Sequence, residues 1–152
     1  MKKYVLSLII LFLVISCSLE SKFSLPNDEN INLELIGEWY NEKDNDEKLT
    51  IMEHGEKTYK LLIKSKEKTE EIISFSKTIK GFGIMNLKTD YKNKIRNVFY
   101  GFKVKGNTLI VYEVNEKLRN KEFKSQTELL EFFNENINRE DFFINPTELI
   151  RK

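Results

Sequence analysis

The chain has 152 residues, with 25 lysines and arginines against 24 aspartates and glutamates, a net charge of +1, one histidine and one cysteine. A single cysteine excludes an intramolecular disulfide, and one histidine beside it leaves too few ligands for zinc or another soft metal. Charges of both signs are interspersed along the chain, which excludes the concentrated basic face that nucleic acid or an anionic lipid surface requires.

Lys2 and Lys3 open the chain, a mostly apolar run extends from Tyr4 to Ile15, and small Ser16 precedes Cys17. The apolar run is too short to span a bilayer, because a helix rising ~1.5 Å per residue needs about 20 residues to cross a hydrocarbon core of ~30 Å. Basic, apolar and small-residue segments in this order form a secretory signal. Within it, Val14-Ile15-Ser16-Cys17 resembles the lipobox of bacterial lipoproteins. The resemblance implies that the Cys17 thiol receives a diacylglyceryl group, that the chain is cut just before it and that the new amine is acylated. Residues 1–16 are then a signal peptide, and the lipid on Cys17 ties the protein to a membrane of the bacterial cell envelope. No other cofactor is expected. Many lipoproteins retained at the inner membrane of certain bacteria carry an aspartate after the cysteine. Ser18 stands there instead, which allows an outer-membrane location on either the periplasmic or the surface face.

Loss of the leader leaves 136 residues, with 23 basic and 24 acidic side chains, a length for one domain with its own core. Residues 17–34 read as the lipidated cysteine and a flexible tether. From Ser18 to about Asn32 the chain is rich in Ser, Glu, Lys, Asn and Asp, includes the Leu25-Pro26 step, and buries too little apolar surface to offset the entropy of ordering. Residues 35–152 read as a single β domain.

In that domain, short apolar or alternating runs are broken by polar turns, the spacing of an antiparallel meander. Strands are predicted near Ile36–Asn41, Lys48–Glu53, Thr58–Lys64, Glu71–Ser76, Thr78–Lys88, Arg96–Lys105 and Thr108–Asn115. Lys105-Gly106-Asn107 supplies residues tolerant of positive φ for a tight hairpin. Ser125-Gln126-Thr127-Glu128 then matches a capping box, and Leu129, Leu130, Phe132, Phe133 and Ile137 recur at helical spacing, so one amphipathic helix is expected to pack against the sheet. Pro146 stops that helix, and Thr147 to Arg151 form a last strand.

The segment Leu35-Ile36-Gly37-Glu38-Trp39-Tyr40 resembles the Gly-x-Trp opening of the lipocalin and calycin families, and the order of tether, Gly-x-Trp strand, meander, helix and final strand is similar to small bacterial lipocalin-like domains. The resemblance implies a mainly β fold, about eight antiparallel strands closing into a small barrel with one helix before the last strand. It also implies that Trp39 plugs one barrel end with Arg151 packed across its face. An eight-stranded barrel is either filled by its own side chains or hollow enough for one small ligand. Gly81 and Gly83, placed on one face with Ile79, Met85 and Leu87, either open such a space or mark bulges that let the sheet bend.

No catalytic arrangement is evident. His54 precedes Gly55 in a hairpin turn, Asp44, Asp46 and Glu47 lack the spacing of a calcium loop and read as a polar turn, and Gly81-Phe82-Gly83 has neither the third glycine nor the helix of a phosphate loop. The expectation is therefore a non-enzymatic binding module on a lipid anchor that engages a protein partner. The alternative is a carrier of a small apolar ligand, with Trp39, Phe82, Met85, Phe99 and Tyr112 lining the interior. No metal and no nucleic acid is expected in either case.

Overall fold

The computed structural model describes residues 18–152; the apolar run, Ser16 and Cys17 lie outside the described residues, and with them the leader and the lipidation position. The strands are β1 (Glu20–Ser21), β2 (Gly37–Asn41), β3 (Asp44–Gly55), β4 (Thr58–Lys64), β5 (Thr69–Ile79), β6 (Phe82–Tyr91), β7 (Lys94–Lys105), β8 (Thr108–Val114) and β9 (Phe143–Arg151), with helix α1 (Gln126–Asn136) between the last two. From β2 to β9 each strand pairs antiparallel with the next, and β9 returns to β2 with Arg151 opposite Trp39. The sheet thus closes into an eight-stranded antiparallel barrel with one helix before its last strand.

Alternation along the strands sets the interior. Trp39, Leu49, Ile51, Tyr59, Leu61, Ile63, Ile72, Met85, Leu87, Val98, Tyr100, Leu109 and Leu149 form one buried cluster, with Leu35 closing an end of it. The predicted strand from Thr78 to Lys88 is in fact two. Lys80 (φ 49°) and Gly81 (φ 84°) make a tight turn between Ile79 and Phe82, two consecutive positive φ values of the kind that match hairpin twist. Gly81 therefore sits in the turn and lines no face. Gly83 marks no bulge: a Cβ there would stand 2.6 Å from the Phe102 ring on the neighbouring strand, so the bare backbone seats an aromatic ring, and beside it Gly83 lines an open cleft of about 250 Å³ at the barrel end with Ser76, Thr78 and Val104. Gly101 does the same outside the barrel for Phe143.

A second apolar core lies on the outer face of β6, β7 and β8. Ile84, Phe99 and Val114 from the wall meet Leu129, Phe132, Phe133 and Ile137 from the helix and Phe142 from the strand approach, all buried. The helix starts as its capping box predicts: the Ser125 hydroxyl accepts from the Glu128 amide at 3.1 Å. The Glu128 carboxylate reaches back one residue further than expected and accepts from the Lys124 amide at 2.9 Å.

The segment expected to be a flexible tether is instead part of this outer core. Leu19 and Leu25 are fully buried, and Ser18 and Ser21 are each 1% exposed. β7 pairs with β8 only from Tyr100 onward, so its first half is left open, and β1 fills that gap with Glu20 opposite Val98 and Ser21 opposite Asn97. Buried asparagines bind the rest. Asn86 accepts from the Leu25 amide at 2.9 Å and donates to Asn97, whose own amide donates to the carbonyls of Ser21 and Lys22. Two buried leucines and a satisfied amide pair offset the ordering entropy that the local composition by itself does not. Further on, Asp28 pairs with Lys77 at 2.7 Å and Ile31 donates to the Glu56 carbonyl, so the strap crosses to the barrel end that Leu35 closes.

Candidate functional site

Trp39 is fully buried, and its indole N–H donates to the Leu35 carbonyl at 2.9 Å, which fixes the ring across the barrel end. The Arg151 guanidinium lies over the ring, 4.3 Å from its centroid, and donates to the Glu34 carbonyl. Gly37, at φ 143°, opens the strand beside the guanidinium, and a Cβ at this position would come 3.7 Å from Arg151 Nε. The arginine thus joins the last strand to the start of the first barrel strand. A cation over an indole in this partly desolvated place contributes ~1 kcal/mol or more.

The five residues proposed as ligand lining do not come together. Along β6 the interior positions are Gly83, Met85 and Leu87, and along β7 they are Val98, Tyr100 and Phe102. Trp39 and Met85 are interior, as expected. Phe82, Phe99 and Tyr112 have the opposite parity and stand outside the barrel. Phe82 and Tyr112 flank Phe143 at centroid distances of 5.6 and 5.7 Å, while Phe99 meets Phe133 of α1 edge to face at 5.4 Å.

Inside, the cavity bounded by residues such as Leu49, Leu61, Met85, Tyr100 and Phe102 has a volume of about 40 Å³ and an entirely apolar wall. Pockets that hold drug-sized ligands run to roughly 300–1,000 Å³. The apolar middle of the barrel is therefore filled by its own side chains, with residual space on the scale of a single methane or water.

Glu47, expected in a polar turn, belongs to β3 and is 1% exposed. Its Oε2 accepts from Asn41 Nδ2 at 3.2 Å, while Oε1 is buried without a partner. Burial pushes its pKa above the usual carboxylate value, the Asn41 hydrogen bond opposes this, and nearby Asp44 adds to the rise. Because the folded pKa exceeds the unfolded one, folding favours the protonated carboxyl. The penalty is absent below the unfolded pKa and grows as pH rises toward the folded value. Glu47→Gln is accordingly expected to raise stability at neutral and mildly alkaline pH by about 1 kcal/mol, with the advantage disappearing in acid. Thermal melts of both proteins across pH check this; a variant no more stable than the parent at neutral pH would show that the carboxylate is not strained.

His54 is exposed at the end of β3. Among the described residues no group of three or more histidine, cysteine, aspartate and glutamate side chains is placed to hold a metal ion, and no helix is long and apolar enough to cross a membrane. No family model matches the chain, and no curated protein or solved structure matches it either.

Proposed function

We propose that this chain is a bacterial lipoprotein, held in the cell envelope by a lipid on Cys17, and that its barrel is a non-catalytic module that binds a protein partner in the envelope or at the cell surface. The observation that carries binding by the outside of the barrel is the apolar cavity of only 40 Å³ inside it, too small for even a modest apolar ligand. The split between interior Trp39 and Met85 and exterior Phe82, Phe99 and Tyr112 supports the same reading, since the carrier alternative takes these five as lining of one space. The isolated, exposed histidine fits a role without acid–base chemistry. Leu33, Phe82 and Ile95 are large apolar side chains left exposed, and a partner that covers any of them gains from their desolvation.

Anchoring rests on the order of Lys2-Lys3, the apolar run, Ser16 and Cys17. Cys17→Ala should move the full-length protein from the detergent phase to the aqueous phase on extraction; unchanged partitioning would place the anchor elsewhere. Native mass spectrometry of the domain produced without its lipid separates the two binding modes. The expected spectrum contains the bare polypeptide, and a stoichiometric apolar passenger would instead establish the carrier.

A further inference from the structure

Among the described residues the chain is already fixed at Ser18, the neighbour of the proposed lipid attachment point. Ser18 is 1% exposed and bridges to Asn115, its hydroxyl donates to the Phe99 carbonyl, and the Val114 amide donates to that same hydroxyl at 3.0 Å. Leu19 continues the lock, donating to the Val114 carbonyl and accepting from the Phe99 amide, each at 3.0 Å. Consecutive Cα atoms are ~3.8 Å apart, so a lipid on Cys17 would be attached one residue from this buried, hydrogen-bonded position. A free tether through Asn32 would have let the domain range some tens of ångströms from the membrane.

We infer, on the basis of the lipoprotein reading, that the barrel lies directly against the bilayer with the wall where β7 and β8 part turned toward it. The acyl chains of a lipidated cysteine occupy the hydrocarbon region, which places its sulfur near the headgroups and Ser18 within roughly 10 Å of them. The surface nearest Ser18 is built by Asn115 and the turn after it, Glu116–Leu118, together with the loop through Asp141, whose carbonyl accepts from Asn115 Nδ2 at 2.9 Å. Exposed Lys117, Arg139, Glu140 and Asp141 on that surface carry both signs of charge. Electrostatic attraction to anionic lipid is therefore not what holds it there; the short leash imposes the contact, and the contact is insensitive to salt. The hairpin joining β3 and β4, with exposed Lys57, belongs to the opposite wall, since β3 is four strands from β7 around the ring.

With Cys17 blocked by lipid, an introduced cysteine is the sole free thiol, so Lys117→Cys and Lys57→Cys can each carry one fluorophore. Intact mass first establishes the diacylglyceryl group on the full mature lipoprotein; a mass without it overturns the lipoprotein reading and this inference together. In phosphatidylcholine vesicles containing headgroup-nitroxide lipid, the label at 117 should lose most of its emission at low and high salt, while the label at 57 keeps its own. A Gly-Ser spacer inserted between Cys17 and Ser18 should abolish the difference. Equal quenching at both positions, or none at either, in protein whose mass shows the lipid would overturn the fixed orientation and leave the anchor standing.

Discussion

Trp39→Ala will cost the barrel about 3–5 kcal/mol, the range for removing a large aromatic side chain from a packed core. Three losses coincide at this position. The interior loses a fully buried indole, the Leu35 carbonyl loses its N–H donor, and the Arg151 guanidinium loses the ring beneath it. Neighbouring side chains are poorly placed to collapse into the space, because the ring spans the barrel end between strands fixed by their own hydrogen bonds. Equilibrium denaturation reads the effect as a lower midpoint at unchanged slope. A loss below 1 kcal/mol would mean that the barrel end is held by something other than the indole.

Phe99→Ala tests the second core, with an expected loss in the same range of about 3–5 kcal/mol. The ring is fully buried between the β7 wall and the helix, edge to face with Phe133. Its removal should loosen what is packed over it before it loosens the barrel. Hydrogen exchange ought to quicken first in α1 and in Leu19–Leu25, while amides of β3 and β4 stay protected. If Phe99 instead lined a ligand space inside the barrel, truncation would leave helix protection unchanged, and that result would refute the two-core arrangement.

Much of the barrel was legible because hairpin chemistry and alternation agree. Thr58–Lys64 is observed with the predicted bounds, Gly106 takes positive φ (58°) in the predicted β7–β8 hairpin, and Ser125 caps the helix. The Lys80-Gly81 turn was missed because apolar residues alternate on both sides of it, so the pattern reads through; a lysine at positive φ gives no compositional cue. That omission also hid which face each aromatic takes. β7 is apolar at successive positions from Val98 to Tyr100, and its inside positions are settled by pairing of Met85 with Tyr100 and Gly83 with Phe102, which the sequence of one strand does not contain. The strap was illegible for a similar reason. Leu19 and Leu25 stand in a polar stretch with no periodicity, and they are held by residues more than sixty positions away in the sequence, Leu25 by Asn86 and Leu19 by Phe99 and Val114.

The lock on Ser18 also orders events in time. Its hydrogen bonds reach Phe99 and Val114, 81 and 96 positions later in the chain, so the lock cannot close until both of those strands have been made. Until both strands have arrived, the start of the domain is an unoccupied strand end and the seam beside β7 is unsealed. Any enzyme that must grip the backbone around Ser18 has that interval in which to act, and closure of the seam ends it.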